Sequence, residues 1–345
     1  MAGAVLVTGG TGYIGGELIK QLLAKGWTVH TTIRDTAKSE VRLFDRFGQP
    51  PADKLKVFQA ELLSDDGWAE AVAGCTHVAH VASPVSDTTP DDEDELIVPA
   101  REGTLRARRF ARQAGVQRFV HTSSIAAVAY GRGGKEYTST EADWTDVNSP
   151  DTTAYAKSKT IAERTARDWI AAEGAKDGKS TEYVSINPVL VLGPVDSNDF
   201  SASVTPVTML LTGKVPMAPD IGFGVVDLRD VADLHVRCLE APGINGERFI
   251  ASGKFMKMID LANVMRRGLT KEQAKKLPKR SMPGWVASLF MLINPPFRSV
   301  KNELGRVRHS DASHAEEVLG WKTRPEEDSI LDCARSLFEH GVVKV

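Results

Sequence analysis

Cysteine is scarce in this chain: Cys75, Cys238 and Cys333 are odd in number, far apart and free of any C-x-x-C spacing. That excludes a disulfide framework and a zinc-finger pattern, and a reducing, cytoplasmic compartment is expected. His77 and His80 have no third ligand near them in sequence, so no metal is expected. An excess of one charge is also missing. With 43 Lys+Arg against 45 Asp+Glu the formal net charge is −2, which points to no polyanionic partner and argues against nucleic acid. Long apolar runs are missing too. The stretch Trp285 to Ile293 is about half the length that crosses a bilayer, so no membrane span is expected. Met1 to Thr8 lacks a basic leader and reads as a first strand rather than a secretion signal. Repeats and low-complexity segments are absent.

What is present is the composition of an ordinary globular protein, 42% hydrophobic and 26% charged, which rules against disorder, collagen and coiled coil. The 345 residues are enough for a cofactor domain and a smaller lobe. Ala4 to Val7 is a short apolar run. A glycine cluster follows, and then Tyr13 to Lys25, whose Ile14, Leu18, Leu22 and Leu23 recur at helical spacing. Trp27 to Ile33, Leu55 to Gln59, Thr76 to Val81 and Arg118 to Thr122 are further strand-like runs with helical patterns between them. Strand–helix alternation predicts an α/β fold, a doubly wound Rossmann parallel sheet with right-handed crossovers. After Gly193-Pro194, prolines at 194, 206, 216 and 219 break the alternation. The expected division is a dinucleotide-binding domain over 1–193 and a discontinuous, mostly C-terminal substrate-binding lobe over 194–345. Regular elements near Val225 to Leu239 are expected to return to the first.

Thr8-Gly9-Gly10-Thr11-Gly12-Tyr13-Ile14-Gly15 holds glycines in both G-x-G-x-x-G and G-x-x-G-x-x-G spacing. The second register, Gly9, Gly12 and Gly15, is the informative one. Glycines there permit a tight turn and a close backbone approach to a diphosphate, while N–H groups of Thr11, Tyr13 and Ile14 at the helix start face the anion. At the end of the second strand, Ile33-Arg34-Asp35 places an arginine fork where an added ribose phosphate is read, so Arg34 favours NADP over NAD. Lys38 or Arg42 is the candidate second cation.

Tyr155-Ala156-Lys157-Ser158-Lys159 opens a helix, and Tyr155 and Lys159 share a face one turn apart. A cation beside a phenol favours the phenolate and makes the tyrosine a usable acid. Thr122-Ser123-Ser124 closes a strand at the carboxyl edge of the sheet, beside the expected cofactor. A hydroxyl there can hold a substrate carbonyl oxygen. Ser124 is the choice and Ser123 the reserve, with Thr122 against the cofactor.

These pieces resemble the extended short-chain dehydrogenases/reductases. The resemblance is to the branch of dihydroflavonol reductases, cinnamoyl-CoA reductases and microbial aldehyde or ketone reductases. It runs nearly end to end, through Thr8 to Gly15, His80-Val81-Ala82-Ser83-Pro84, Val120 to Ser124, Tyr155 to Lys159, Ile186 to Pro194 and Gly222 to Ala232. The resemblance implies that Val81, Ala82 and Ser83 back the cofactor ribose and that Glu61 and Leu62 flank the adenine. It also implies that Pro188, Val189 and Leu190 lie against the nicotinamide and that Ser203 touches the cofactor. Glu61 departs from the usual aspartate but keeps an acceptor. Ala129 stands where the flavonoid reductases resemble one another in an asparagine, and Thr153-Ala154 where the cinnamoyl-CoA branch has Asn-Trp. The expected function is therefore NADPH-dependent reduction of a generic aldehyde or ketone, with Ser124, Tyr155 and Lys159 catalytic, by a monomer or homodimer. The rivals are a nucleotide-sugar epimerase or dehydratase and an NADPH-binding regulatory protein. The first is opposed by Ser123-Ser124 where dehydratases carry an acid pair, the second by an intact Tyr155 and Lys159. The basic stretch Arg101 to Arg112 reads as a solvated helix face or subunit contact.

Overall fold

The computed structural model describes residues 3–34, 40, 43–84, 92–177, 181–196, 201–287 and 303–345. Lys38, Arg42, Asp35 and residues 288–293 of the apolar stretch lie outside them. Seven strands form one sheet: β1 (Ala4–Thr8), β2 (Thr28–Ile33), β3 (Leu55–Gln59), β4 (His77–His80), β5 (Arg118–Thr122), β7 (Glu182–Pro188) and β10 (Arg248–Ala251). Their order is β10-β7-β5-β4-β1-β2-β3, and every neighbouring pair is parallel. The α/β doubly wound architecture predicted from the alternation is thus the one observed.

Burial of both faces explains the continuous apolar runs of the strands. Within β1, Val5 and Val7 face one core and Leu6 the other, and the same alternation separates Val120 from Phe119 and Val184 from Tyr183. The first core is covered by α1 (Tyr13–Ala24) and the second by α2 (Trp68–Val72), α3 (Asp94–Gln113) and α4 (Ala154–Asp177). α1 stops at Gly26, whose φ of +83° lets the Trp27 N–H return to the Leu22 carbonyl at 3.1 Å, the usual glycine-terminated helix end.

The remaining strands form two small sheets. β8 (Leu190–Leu192), β9 (Gly222–Asp227) and β11 (Phe255–Lys257) make one, and β6 (Glu136–Ser139) with β12 (Val307–Ser310) the other. Helices α5 (Thr205–Thr212), α7 (Met258–Gly268) and α9 (Glu326–Glu339) pack around them, while α8 (Ser313–Leu319) packs against β10 of the main sheet. The regular segment expected at Val225 to Leu239 divides at Asp227, whose Oδ1 accepts the Arg229 N–H at 2.8 Å and caps α6 (Leu228–Glu240). α6 lies beside α1 on the main sheet.

The chain runs outward from β1 through β2 and β3, then returns to the opposite side of β1 as β4. Ligands of such sheets bind outside the carboxyl ends of the strands at this reversal. The glycine turn after β1 and the residues after β4 form its two lips.

Candidate active site

The glycine turn is built around one hydroxyl. Thr8 Oγ1 accepts the N–H groups of Val81 and Ala82, each at 3.0 Å, so its own proton goes to His80 Nδ1, also at 3.0 Å. Burial pushes His80 down to about 3, which leaves it neutral and able to accept. β1 and β4 are thereby tied together at the mouth of the crevice. Gly9 has φ +72°, and a Cβ on it would stand 3.1 Å from the Ala82 Cα. A Cβ on Gly15 would overlap the Gly9 carbonyl oxygen, to which Gly12 donates at 2.9 Å. Gly10 has another reason: its Cβ would strike the Thr31 hydroxyl on β2. The Gly9, Gly12, Gly15 register shapes the turn, and Gly10 permits packing behind it.

Gly12 caps α1 with no side-chain bond, and the first turn of that helix holds no acid. Its N–H groups are therefore left for an anion. Tyr13 is buried and donates its hydroxyl to the Gly193 carbonyl at 2.7 Å, fastening the turn to the chain beyond β8. Thr11 is exposed and Ile14 half-buried against the core.

On the other lip, Val81, Ala82 and Ser83 are half-buried at the carboxyl end of β4. Arg34 is exposed at the end of β2, where its carbonyl accepts Gln59 Nε2 at 3.1 Å. Its guanidinium has no partner among the described residues. Glu61 is exposed, its carbonyl taken by Trp68 Nε1 at 2.9 Å. Leu62 packs so close to Gly103 that a Cβ there would come within 2.9 Å of it. Pro188 and Val189 are buried and Leu190 half-buried. The Val189 N–H is bound to the Ala251 carbonyl at 3.1 Å. Ser203 sits in a short turn, Ala202–Val204, with its N–H on Ser201 Oγ at 3.3 Å.

α4 carries Tyr155, Lys159, Glu163 and Arg167 at four-residue intervals along one face. Tyr155 is 37% exposed and Lys159 only 6%, with Lys159 Nζ 5.9 Å from the centre of the tyrosine ring. Neither the Tyr155 hydroxyl nor the Lys159 ammonium has a hydrogen-bond partner among the described residues. The stem of Lys159 is buried while its ammonium keeps some solvent contact and no protein acceptor among the described residues, so this pair fits a site completed by a bound molecule.

The serines differ in what holds them. Ser123 donates to the Glu163 carboxylate at 2.6 Å, which commits its proton. Ser124 accepts the Ala126 N–H at 3.1 Å and keeps its proton for another acceptor. It begins the turn Ile125–Ala127, against which α4 packs. The Thr122 hydroxyl is turned to α6. His235 Nδ1 donates to the Val231 carbonyl at 2.7 Å, so its Nε2 accepts from Thr122, also at 2.7 Å; burial holds His235 at about 4 and therefore neutral.

Three features were not legible in the sequence. Glu163 is wholly buried and collects Ser123, Ser185, Asn187, Arg248 and Arg167. Asn187 Nδ2 also holds the Ser124 carbonyl at 3.0 Å. Arg308, brought in by β12, donates to the Ala129 carbonyl at 3.2 Å and lies over the Tyr130 ring at 4.9 Å. Arg46 lies on the glycine turn, 3.4 Å from the carbonyls of Thr11 and Gly12. Only Glu163 had any sequence signal, its four-residue step from Lys159.

The basic stretch is a structural face. Arg106 and Arg109 share Asp65, and Arg108 is buried among the rings of Phe119, Trp169 and Tyr183. Among the described residues there is no cluster of three or more metal-ligating side chains, and no helix is long and apolar enough to cross a membrane.

The glycine turn, where a Cβ on Gly9 or Gly15 would press on neighbouring backbone, and the lysine without a partner among the described residues suit a dinucleotide. The sequence model of the "NAD dependent epimerase/dehydratase family" matches residues 5–250. Dihydroflavonol 4-reductase of Zea mays is 32% identical over 99% of this chain and 90% of its own length. Cinnamoyl-CoA reductase 1 of Petunia hybrida is 34% identical over 98% and 92%. The NADPH complex of the yeast methylglyoxal/isovaleraldehyde reductase Gre2 superposes with a TM-score of 0.80 at 24% identity, covering 99% of this chain and 100% of that one. With the family's sequence model spanning most of it and relatives aligned over nearly all of it, this chain belongs to the NAD dependent epimerase/dehydratase family, in its extended short-chain dehydrogenase/reductase branch.

Proposed function

We propose that this protein reduces an aldehyde or ketone to the alcohol with NADPH, using Tyr155 as the general acid. The observation that carries this reading is the pair on α4: a half-exposed phenol with an unpaired hydroxyl, one turn from a buried lysine with no acceptor. When bound, the dihydronicotinamide supplies the hydride. Relatives named as reductases, among them an NADPH complex, support the same chemistry.

In this reading Ser124 donates its uncommitted proton to the substrate oxygen and holds the carbonyl in place. Tyr155 hands its phenolic proton to that oxygen as charge develops there. Lys159 donates to the nicotinamide ribose and keeps a positive charge beside the phenol, which favours the phenolate left behind. Arg34 reads the 2′-phosphate, and the cofactor contacts of Glu61, Leu62, Val81 to Ser83, Pro188 to Leu190 and Ser203 follow the family's pattern. Residues 1–193 supply the cofactor side and segments after 194 the substrate side. Ala129 is buried, and its carbonyl is taken by Arg308, so this position offers no polar hold on a flavonoid. The substrate is a simpler aldehyde or ketone.

Loss of the NADPH absorbance band on addition of simple aldehydes, β-keto esters and aryl ketones tests the proposal. Turnover matched by alcohol formation is expected. A sugar nucleotide that is interconverted without net cofactor oxidation, with no carbonyl compound reduced, would replace this reading by an epimerase.

A further inference from the structure

Arg46 ends the helical residues 43–46, which dock through buried Leu43 and half-buried Phe44 and Phe47 against the core. Its guanidinium stands 5.7 Å from the Phe47 ring, so apolar burial sets where the arm begins. The Nε is paired with the Asp196 carboxylate. Nη1 points at the carbonyls of Thr11 and Gly12, each at the long distance of 3.4 Å. Nη2 has no partner among the described residues.

Gly16, one position beyond the glycine register, explains the fit. A Cβ there would collide with this guanidinium. The backbone of α1 is therefore bare at the point where Arg46 lies across it.

The electrostatics are unbalanced without a ligand. Arg46 rests beside the first turn of α1, the positive end of the helix dipole, and among the described residues the half-exposed Asp196 is the one carboxylate paired with it, beside its two long contacts to the Thr11 and Gly12 carbonyls. An anion at the turn satisfies both. A guanidinium fork with two free N–H groups matches the non-bridging oxygens of a phosphate. Arg34 closes β2, whereas Arg46 lies on the turn itself, so the two cations face different phosphates.

We propose that Arg46 binds the diphosphate of the dinucleotide, with Asp196 aiming the guanidinium and Gly16 leaving it room. This rests on the reading of the turn as the dinucleotide site. The residue acts on affinity for either nicotinamide cofactor and has no part in choosing between them.

Titration of the cofactor-free protein with NADPH, NADH and adenosine 2′-monophosphate, followed by calorimetry, tests it. Arg46→Gln should raise the Kd for NADPH and NADH by the same factor, roughly tenfold to a hundredfold, the range for losing a charge-assisted bond. Adenosine 2′-monophosphate, which has no diphosphate, should bind as before. Gly16→Ala displaces the guanidinium without removing it and suits a helix better than glycine, so it tests the idea if the first variant fails to fold. It should weaken both dinucleotides likewise. Weakening of NADPH alone would make Arg46 a reader of the 2′-phosphate and overturn the proposal. Unchanged affinity in a folded Arg46→Gln or Gly16→Ala protein would overturn it as well. A wild-type protein that bound neither dinucleotide would instead sink the reading of the turn itself.

Discussion

Replacing Glu163 by glutamine removes a buried charge on which four close donors converge. Ser123, Ser185, Asn187 and Arg248 reach its oxygens at 2.6, 2.7, 2.9 and 2.8 Å, with Arg167 at 3.4 Å. Burial alone would raise this carboxyl, but Arg248, Arg167 and the hydroxyl and amide donors hold it at about 2 instead of 4.5. At 1.36 kcal/mol per unit that is roughly 3 kcal/mol of preference for the charged form. Glutamine keeps the shape, loses the charge and turns one acceptor into an NH2 group facing other donors. Two guanidinium groups are left uncompensated, and breaking a buried pair costs about 3–5 kcal/mol. Glu163→Gln should therefore lose about 3–5 kcal/mol in urea unfolding at pH 7 with an unchanged m-value, read from the 6 tryptophans. A depressed carboxyl contributes fully above its unfolded-state value near 4.5 and is lost as pH falls towards 2. The mutant's deficit should thus be about half as large at pH 3 as at pH 7. The variant also loosens Asn187 and with it the Ser124 carbonyl, so kcat should fall more than KM rises. A loss under about 1 kcal/mol at pH 7, or one independent of pH, would refute this account.

Tyr155→Phe should lower kcat by roughly 10² to 10⁴, the range for general acid catalysis, while the Kd for NADPH stays put; turnover near wild type would remove the tyrosine from the mechanism. Lys159→Met keeps the buried stem and removes the ammonium beside the phenol, so carbonyl reduction should be lost while stability in urea changes by less than about 1 kcal/mol. A destabilised variant would mean that the ammonium has a protein partner. Arg34→Ala should shift the ratio of NADPH to NADH affinity towards NADH, and an unchanged ratio in parallel titrations would place the 2′-phosphate elsewhere. His80 and His235 are held neutral by burial at about 3 and about 4. Below the unfolded-state value near 6.5, each should therefore cost about 1.4 kcal/mol of stability per pH unit down to its folded value. His80→Gln should flatten the acid limb of a stability–pH curve, and an unaltered slope would count against a neutral His80.

Local rules settle what lies within a turn or two of itself. Gly9 needs a positive φ, and Gly9 and Gly15 leave no room for a Cβ, so the phosphate turn can be read from glycine spacing. Val5, Leu6 and Val7 alternate between two cores, so the strands of a sheet buried on both faces show as apolar runs. Tyr155 and Lys159 meet because a helix repeats every 3.6 residues, which needs no knowledge of the rest of the chain. Glu163 takes the next step of that stripe, but its worth comes from Ser185, Asn187 and Arg248, which no period connects to it. Ser123 and Ser124 are equivalent in sequence; only the donor to Glu163 separates them. The bond of the Thr122 hydroxyl to His235 could not be read from the sequence, because side chains at the end of a strand point to whichever helix covers that face. Arg101 to Arg112 carries one charge pattern in sequence, but packing buries Arg108 among three rings and leaves its neighbours to Asp65. Arg46 was one cation among 43 until burial of Leu43 brought it over Gly16. The sequence by itself determined the sheet, the glycine turn and the tyrosine–lysine pair, because each depends on a period or a steric limit within a few residues. Which hydroxyl is free, which carboxylate anchors the serine loop and which arginine lies on the turn were decided only when distant segments were packed together, since those contacts depend on the path of the whole chain.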